Sequence, residues 1–284
     1  MKKIPSLAIA VLGLTGGLSS AANLMLDFGP TAVGSDYQTL SPGHSSGTVS
    51  TDQVTWNHIS SMTPPSLSYG NGSTASGISL TMGQESTPGN NTVDFSTAIS
   101  NLALAGTGGG TAGRQSLLTT GSIYGNNSSS TAVARDGFFG GGTGSVGSAV
   151  GLRVDGLASG QYLIYVMSRN TNSNNSPGAA MNVFANTGES SETFDFASLS
   201  AFSQSNVTYA SSGYAGQYSS FVNGENYVVI DVTLGDNDSL FLAVDGTGTE
   251  NRGFLNMVQI VQVPEPASAF LAATGFILFL RRRR

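Results

Sequence analysis

Cysteine is absent from this chain. Disulfides, thiolate-bound zinc and cysteine nucleophiles are therefore excluded, and stability must come from a packed core. Lysine occurs only as Lys2 and Lys3. Between Asn23 and Gln262 the cations are Arg114, Arg135, Arg153, Arg169 and Arg252, five against sixteen acids, so this stretch carries a net charge of 5 − 16 = −11. Nucleic acid and anionic lipid need clustered cations, and an acidic body without lysine offers none. Runs of strong helix formers are also missing. Their place is taken by 38 glycines and by frequent Ser, Thr and Asn, a composition of many strands joined by turns.

The two ends depart from this pattern. Lys2 and Lys3 precede an apolar stretch from Ile4 to Leu18 and then Ser19-Ser20-Ala21-Ala22. A charged start, a short apolar run and small residues at a cut site are the features of a secretory signal peptide over residues 1–22, with cleavage expected after Ala22. At the other end, Val263-Pro264-Glu265-Pro266 is followed by an uncharged run from Ala267 to Leu280 and then by Arg281, Arg282, Arg283 and Arg284. The run is 14 residues long. As a helix it reaches about 21 Å against about 30 Å of hydrocarbon, enough for transient insertion with the arginines at the headgroups. The positive-inside rule keeps that arginine cluster cytoplasmic and leaves the preceding chain on the far side. Pro264 and Pro266 lack backbone donors and resist helix, so the strip from Val263 to Pro266 should be extended and accessible to a processing enzyme.

This order of motif, span and basic end resembles the PEP-CTERM sorting tail of bacterial exported proteins, over residues 263–284. The resemblance implies recognition of Pro264, Glu265 and Pro266 by an exosortase-type membrane enzyme, retention by Arg281 to Arg284 until processing, and delivery to the cell surface or extracellular matrix. It further implies association with exopolysaccharide or biofilm material.

Residues 23–262 remain as one body. Strand-length apolar or alternating segments are expected at Leu24–Phe28, Val54–Trp56, Ile78–Met82, Val150–Val154, Tyr162–Met167, Met181–Phe184, Tyr227–Val232, Leu240–Val244 and Phe254–Val261. Val150–Val154 and Tyr162–Met167 read as a hairpin closed by Asp155 to Gly160, and Phe95–Leu104 has the spacing of one short helix. Residues 106–114, 125–131, 137–148 and 170–178 read as exposed loops. The first and last strands, near Leu26 and Ile260, are expected to pair. Many short strands without alternating helices predict an all-β fold, an antiparallel sandwich with one core between two sheets. The run Gly253 to Val261, with the segment from Gly156 to Tyr165, resembles strands of jelly-roll domains that carry such tails. It is also similar to galactose-binding and malectin-like sandwiches, without bringing any matched binding residue.

Candidate chemistry is sparse. Two G-x-G-x-x-G matches, at Gly108, Gly110, Gly113 and at Gly142, Gly144, Gly147, do not lead from a strand into a helix and read as loops. Asp236 and Asp238 in Gly235-Asp236-Asn237-Asp238-Ser239, with Asp245 and Glu250 beyond, offer oxygen ligands for calcium, and an acidic hairpin turn between Tyr227–Leu234 and Leu240–Val244 accounts for them equally well. His44 and His58 are the only histidines a serine triad could use, and no G-x-S-x-G elbow accompanies them. Glu189, Glu192 and Asp195 read as a solvated edge. Trp56 with Asn57 and His58, and Tyr209, Tyr214 and Tyr218, could stack on sugar rings, with Trp56, Tyr214 and Tyr218 the best placed. A core tryptophan is the plainer account of Trp56. The resulting expectation is an exported, non-catalytic surface or matrix protein needing no cofactor. A carbohydrate-binding module is the alternative, followed by a secreted polysaccharide-active hydrolase.

Overall fold

The computed structural model describes residues 23–104, 122–125, 132–143, 146–170, 180–205, 219–247 and 251–264. Helix among them is limited to a 3-10 turn at Ser35–Tyr37 and one turn of α1 at Pro42–Ser45, capped by the Ser41 side chain. Strands form two main sheets. The five-stranded sheet runs β14 (Val228–Leu234), β10 (Gly160–Met167), β17 (Met257–Gln262), β1 (Asn23–Phe28) and β2 (Asn57–Ile59). The seven-stranded sheet runs β12 (Thr193–Asp195), β4 (Thr92–Asp94), β3 (Ser79–Glu85), β9 (Val150–Asp155), β15 (Ser239–Thr247), β11 (Ala180–Gly188) and β13 (Phe202–Gln204). A smaller sheet of β16 (Phe254–Leu255), β6 (Gly137–Phe139) and β5 (Asn101–Leu104) stands beside them, with a two-stranded ribbon of β7 (Gly142–Thr143) and β8 (Val146–Gly147).

Alternation along the strands explains why two sheets form a single unit. Leu24, Leu26 and Phe28 of β1, Ile164 and Val166 of β10, and Val258 and Ile260 of β17 share one buried cluster with Leu80 and Met82 of β3, Leu152 and Val154 of β9, and Leu242 and Val244 of β15. Each strand thus sends every second side chain into the space between the sheets. This nearly all-β body with one core between sheets is consistent with a β-sandwich. The pairing of first and last strands is as expected, with Leu24 opposite Ile260 and Leu26 opposite Val258.

Several local readings change. The pairing is not wholly antiparallel, since β2 lies parallel to β1. β9 and β10 are not a hairpin: they belong to different sheets, so the turn from Gly156 to Ser159 carries the chain across the core. β14 and β15 are likewise in opposite sheets. No helix occupies residues 95–104, where turns lead into β5, and residues 137–148 contain three short strands instead of one exposed loop. The expected strand at Val54–Trp56 is displaced to Asn57–Ile59.

The outer faces are also covered. Met25, Tyr165 and Val261, on the far side of the five-stranded sheet, pack with Val49, Trp56 and Tyr227, while Met167 and Met257 pack with Ile123, Tyr124, Val133 and Ala134. A sheet apolar on both faces accounts for the near-continuous apolar runs at 162–167 and 257–261. Phe194, Phe196 and Phe241 form a corresponding layer on the seven-stranded sheet.

Candidate functional site

The covered outer face of the five-stranded sheet contains the least expected chemistry. Asp27 on β1 lies opposite Met257 on one side and His58 on the other, and Met257 is in turn opposite Met167. Directly paired residues project from the same face. Asp27 is therefore set in the apolar layer of Met167, Met257, Tyr124, Val133 and Ala134. Its exposure is 0%, and neither carboxylate oxygen has a hydrogen-bond partner.

A second acid lies against it. Asp136, just before β6, is 1% exposed, and its Oδ2 accepts from the Thr31 amide at 2.7 Å while Oδ1 has no partner. Gly29, at φ +127°, lets the chain pass here: a Cβ on it would come within 2.5 Å of Asp136 Cγ and 2.7 Å of the Gly137 nitrogen. His58 Nε2 donates to the Gly29 carbonyl at 2.8 Å. Below, the buried Asn256 donates to the Asp136 carbonyl at 2.7 Å and accepts from the Arg169 amide at 2.8 Å. Burial raises the Asp27 pKa far above the usual carboxylate range and the Asp136 charge raises it further; the Val33 and Ala134 amides offset this in part without reaching hydrogen-bond geometry. Burial likewise raises Asp136 to about 6 against the pull of Thr31.

A third buried acid, Glu85, has the opposite environment. Glu85, 2% exposed, accepts from the amides of Asn91 at 2.6 Å, Gly89 at 2.9 Å and Ala149 at 3.0 Å. Its charge is a secondary cause of the raised pKa of Asp245, which burial lifts from 3.8 to about 6. Asp245 is therefore more firmly protonated in the folded state than in the unfolded chain. Its contribution favours folding most below about pH 4 and is lost as pH rises through about 6. Asp245→Asn should flatten that decline and stabilise the protein near neutral pH. A two-unit shift would correspond to about 3 kcal/mol; for a half-buried, screened side chain about 1 kcal/mol is expected. Urea unfolding of both proteins at about pH 5 and 8 checks this, and an equal decline in the two would remove Asp245 as its source.

The residues singled out in the sequence are dispersed. Trp56 is half-buried between two outer-face clusters, and its indole N–H donates to the Gln38 carbonyl at 2.8 Å. Asn57 clamps Ser68 and the Met25 carbonyl. His58 and Asn57 thus serve backbone groups beside Trp56. Tyr209, Tyr214 and Tyr218 lie outside the described residues, as do Glu250, Ala22, Glu265, Pro266 and Arg281 to Arg284. Asp236 is exposed in the turn between β14 and β15, and Asp238 Oδ2 accepts from the Gly235 amide at 2.8 Å, closing that turn. Among the described residues no three or more His, Asp or Glu gather where a metal could be held. His44 contacts Ser41 Oγ at 2.7 Å, and its other ring nitrogen meets the Gln53 carbonyl instead of a carboxylate. Asp195 caps the Ala197 amide. Of the glycine motifs, Gly142 and Gly147 sit opposite each other in the β7–β8 ribbon, with no helix after them, and the motif at Gly108 falls outside the described residues.

Pro264 is exposed just past β17, following a last backbone bond from the Val263 amide to the Gln161 carbonyl at 2.8 Å. No helix among the described residues is long and apolar enough to cross a membrane, and the expected span at 267–280 lies outside them.

No protein-family model matches the chain, and no curated protein matches it. Among solved structures it is similar to the Arthrobacter globiformis T6 isomalto-dextranase complexed with panose, at 16% identity and a TM-score of 0.25, covering 43% of this chain and 18% of that one. The chain thus spans less than a fifth of that enzyme, and the score is too low to bear on fold or function.

Proposed function

We propose that this is an exported, non-catalytic surface or extracellular-matrix protein, a jelly-roll-like sandwich delivered by a signal peptide and released or transferred through a PEP-CTERM tail. The observation that supports the reading is the pairing of β1 with β17, in which Asn23, the first residue after the expected cut, is opposite Val261. Both expected processing points therefore adjoin one end of the five-stranded sheet. Cleavage after Ala22 and near Pro264 to Pro266 would leave every strand of the body intact, and exposed chain just beyond the last ladder bond is what a protease needs. The exosortase-type enzyme would act on Pro264, Glu265 and Pro266 while the arginine cluster holds the chain in the membrane. The acidic body, without lysine, suits a role in polysaccharide material and not on nucleic acid.

Intact-mass measurement of the protein from host membrane, cell surface and medium tests this. A species running from about Asn23 to the Pro264–Pro266 strip in the surface or medium fraction is expected. Recovery only of a membrane species that keeps Arg284 would make the tail a plain anchor and end the exosortase reading.

A further inference from the structure

Asp27 and Asp136 present three fully buried carboxylate oxygens without a partner: both of Asp27 and Oδ1 of Asp136. Such a pair cannot stay as two bare carboxylates, because a desolvated charge must be neutralised or paired. The charged groups that face it do not do so. Neither acid has an ion-pair partner; the one salt bridge among the described residues joins Arg153 to Asp155. His58 is paired with Asp27 across β1 and β2, with its Nε2 engaged by the Gly29 carbonyl, and Arg169 packs over the Tyr124 ring at 5.9 Å.

Protons alone leave the pair unfinished. One proton shared between the acids would engage one oxygen of each and leave one full charge buried, which the Val33 and Ala134 amides offset only in part. A second proton would remove the charge but add a donor that in turn needs an acceptor. A hard divalent cation takes carboxylate oxygens as ligands and cancels both charges together.

Among such cations the surroundings favour calcium. Magnesium demands near-ideal octahedral geometry and keeps several waters, whereas these acids are 0% and 1% exposed. Zinc would want thiolate or several imidazoles, and cysteine is absent. Calcium accepts carboxylates and backbone carbonyls in irregular arrangements of six to eight oxygens. Irregular backbone from two chain segments lies here: residues 29–33, from which Thr31 bonds Asp136, and residues 132–136, where Ala134 holds φ +61° despite its side chain. The energetic strain of that conformation persists only where its surroundings over-determine it.

We propose that Asp27 and Asp136 are the carboxylate ligands of a buried calcium ion that fastens the 29–33 and 132–136 segments to the outer face of the five-stranded sheet. The site is structural, and it stands or falls independently of how the chain is sorted. It is also distinct from the exposed Asp236–Asp238 turn, where Asp238 is already spent on the Gly235 amide.

The test uses the full chain, purified in detergent with calcium and dialysed free of unbound metal. Elemental analysis should find about one calcium per chain. Chelation with EGTA should lower Tm by roughly 5 to 10 °C, restored by calcium and not by magnesium. Hydrogen exchange on the chelated wild type should show lost protection around residues 27–33 and 132–137. Asp27→Asn and Asp136→Asn should each retain no calcium and lose the EGTA response, while Asp238→Asn keeps both. A wild-type chain that holds no calcium and whose Tm ignores both EGTA and added calcium overturns the site. So does calcium whose removal deprotects residues 235–239 instead, or that survives Asp27→Asn. If neither Asp27→Asn nor Asp136→Asn folds, the calcium content and the exchange map of the wild type still decide the matter.

Discussion

Phe254→Ala should destabilise the body by about 3 to 5 kcal/mol, the range of a buried aromatic whose cavity cannot collapse. Phe254 is fully buried at the point where the small sheet meets the main core. Its ring stacks on Phe139 with centroids 5.4 Å apart, and the Arg252 guanidinium lies 5.2 Å from the Phe139 ring and 5.5 Å from that of Phe254. Truncation therefore removes the burial term, a ring pair and a cation–π contact together. Relaxation into the cavity is blocked by backbone. A Cβ on the adjacent Gly253 would be 1.9 Å from the Val244 carbonyl oxygen and 2.9 Å from the Val150 nitrogen, so the chain already lies hard against β15 and β9. The Phe254 carbonyl is also held by Ser168 Oγ at 2.7 Å. For a body of this size the loss corresponds to a fall in Tm of roughly 10 °C. Phe202→Ala, at a ring that is 40% exposed, should change stability by less than about 0.5 kcal/mol. Urea unfolding of the two variants checks the contrast, and a loss below about 1.5 kcal/mol for Phe254→Ala would mean that the core closes over the gap.

How far this fold is legible in the sequence depends on the range of the force that sets each feature. β1, β3, β9, β10, β11, β14, β15 and β17 are marked by alternation or apolar runs, because each strand must bury one face whatever it pairs with. Pairing itself is not marked. The turn from Asp155 to Gly160 has the glycines of a hairpin, with Gly156 at φ +83° and Gly160 at +141°. Yet a hairpin and a crossing between sheets both require apolar strands on either side, so local periodicity cannot separate them. β6 escapes notice because it is short and lies among glycines that permit close backbone approach, not turns: at Gly137 a Cβ would be 2.5 Å from the Leu255 carbonyl.

The buried acids escape for a related reason. In Leu24-Met25-Leu26-Asp27-Phe28 the aspartate occupies an alternate position that would face water in a sheet covered on one side only. Nothing local announces the outer layer of Tyr124, Val133 and Ala134 that covers it, nor Asp136, which arrives from distant sequence. The residues chosen for their chemistry, Trp56, Asp236 and Asp238, carry side chains of the right type in a local cluster. The structure shows Trp56 spent on a backbone carbonyl and Asp238 on a backbone amide.

Glu85→Ala should destabilise the body by about 4 kcal/mol, and Glu85→Gln by about half as much. The carboxylate accepts three amides from two separate segments: Gly89 and Asn91 in the exposed turn between β3 and β4, and the buried Ala149 just before β9. The turn needs the help, since Gly89 and Asn91 hold φ +80° and +58°. Removing the acceptor strands three donors, each costing roughly 1 to 3 kcal/mol unless water reaches it. Glutamine keeps one acceptor oxygen but turns an NH2 group toward an N–H, so it repairs only part of the loss. Equilibrium unfolding gives the magnitudes, and hydrogen exchange at Gly89, Asn91 and Ala149 shows whether the right amides are freed. A glutamine variant as stable as wild type would mean that the charge and second oxygen are dispensable, and that Glu85 merely fills space. The contrast with Asp27 then acquires its meaning. Two carboxylates are buried to the same degree in one body, one hydrogen-bonded by three amides and the other with no donor in hydrogen-bond geometry. The first is complete as it stands and acts as a structural tie. The second is complete only with a partner that the polypeptide does not supply, which is why Asp27 and not Glu85 marks a binding site.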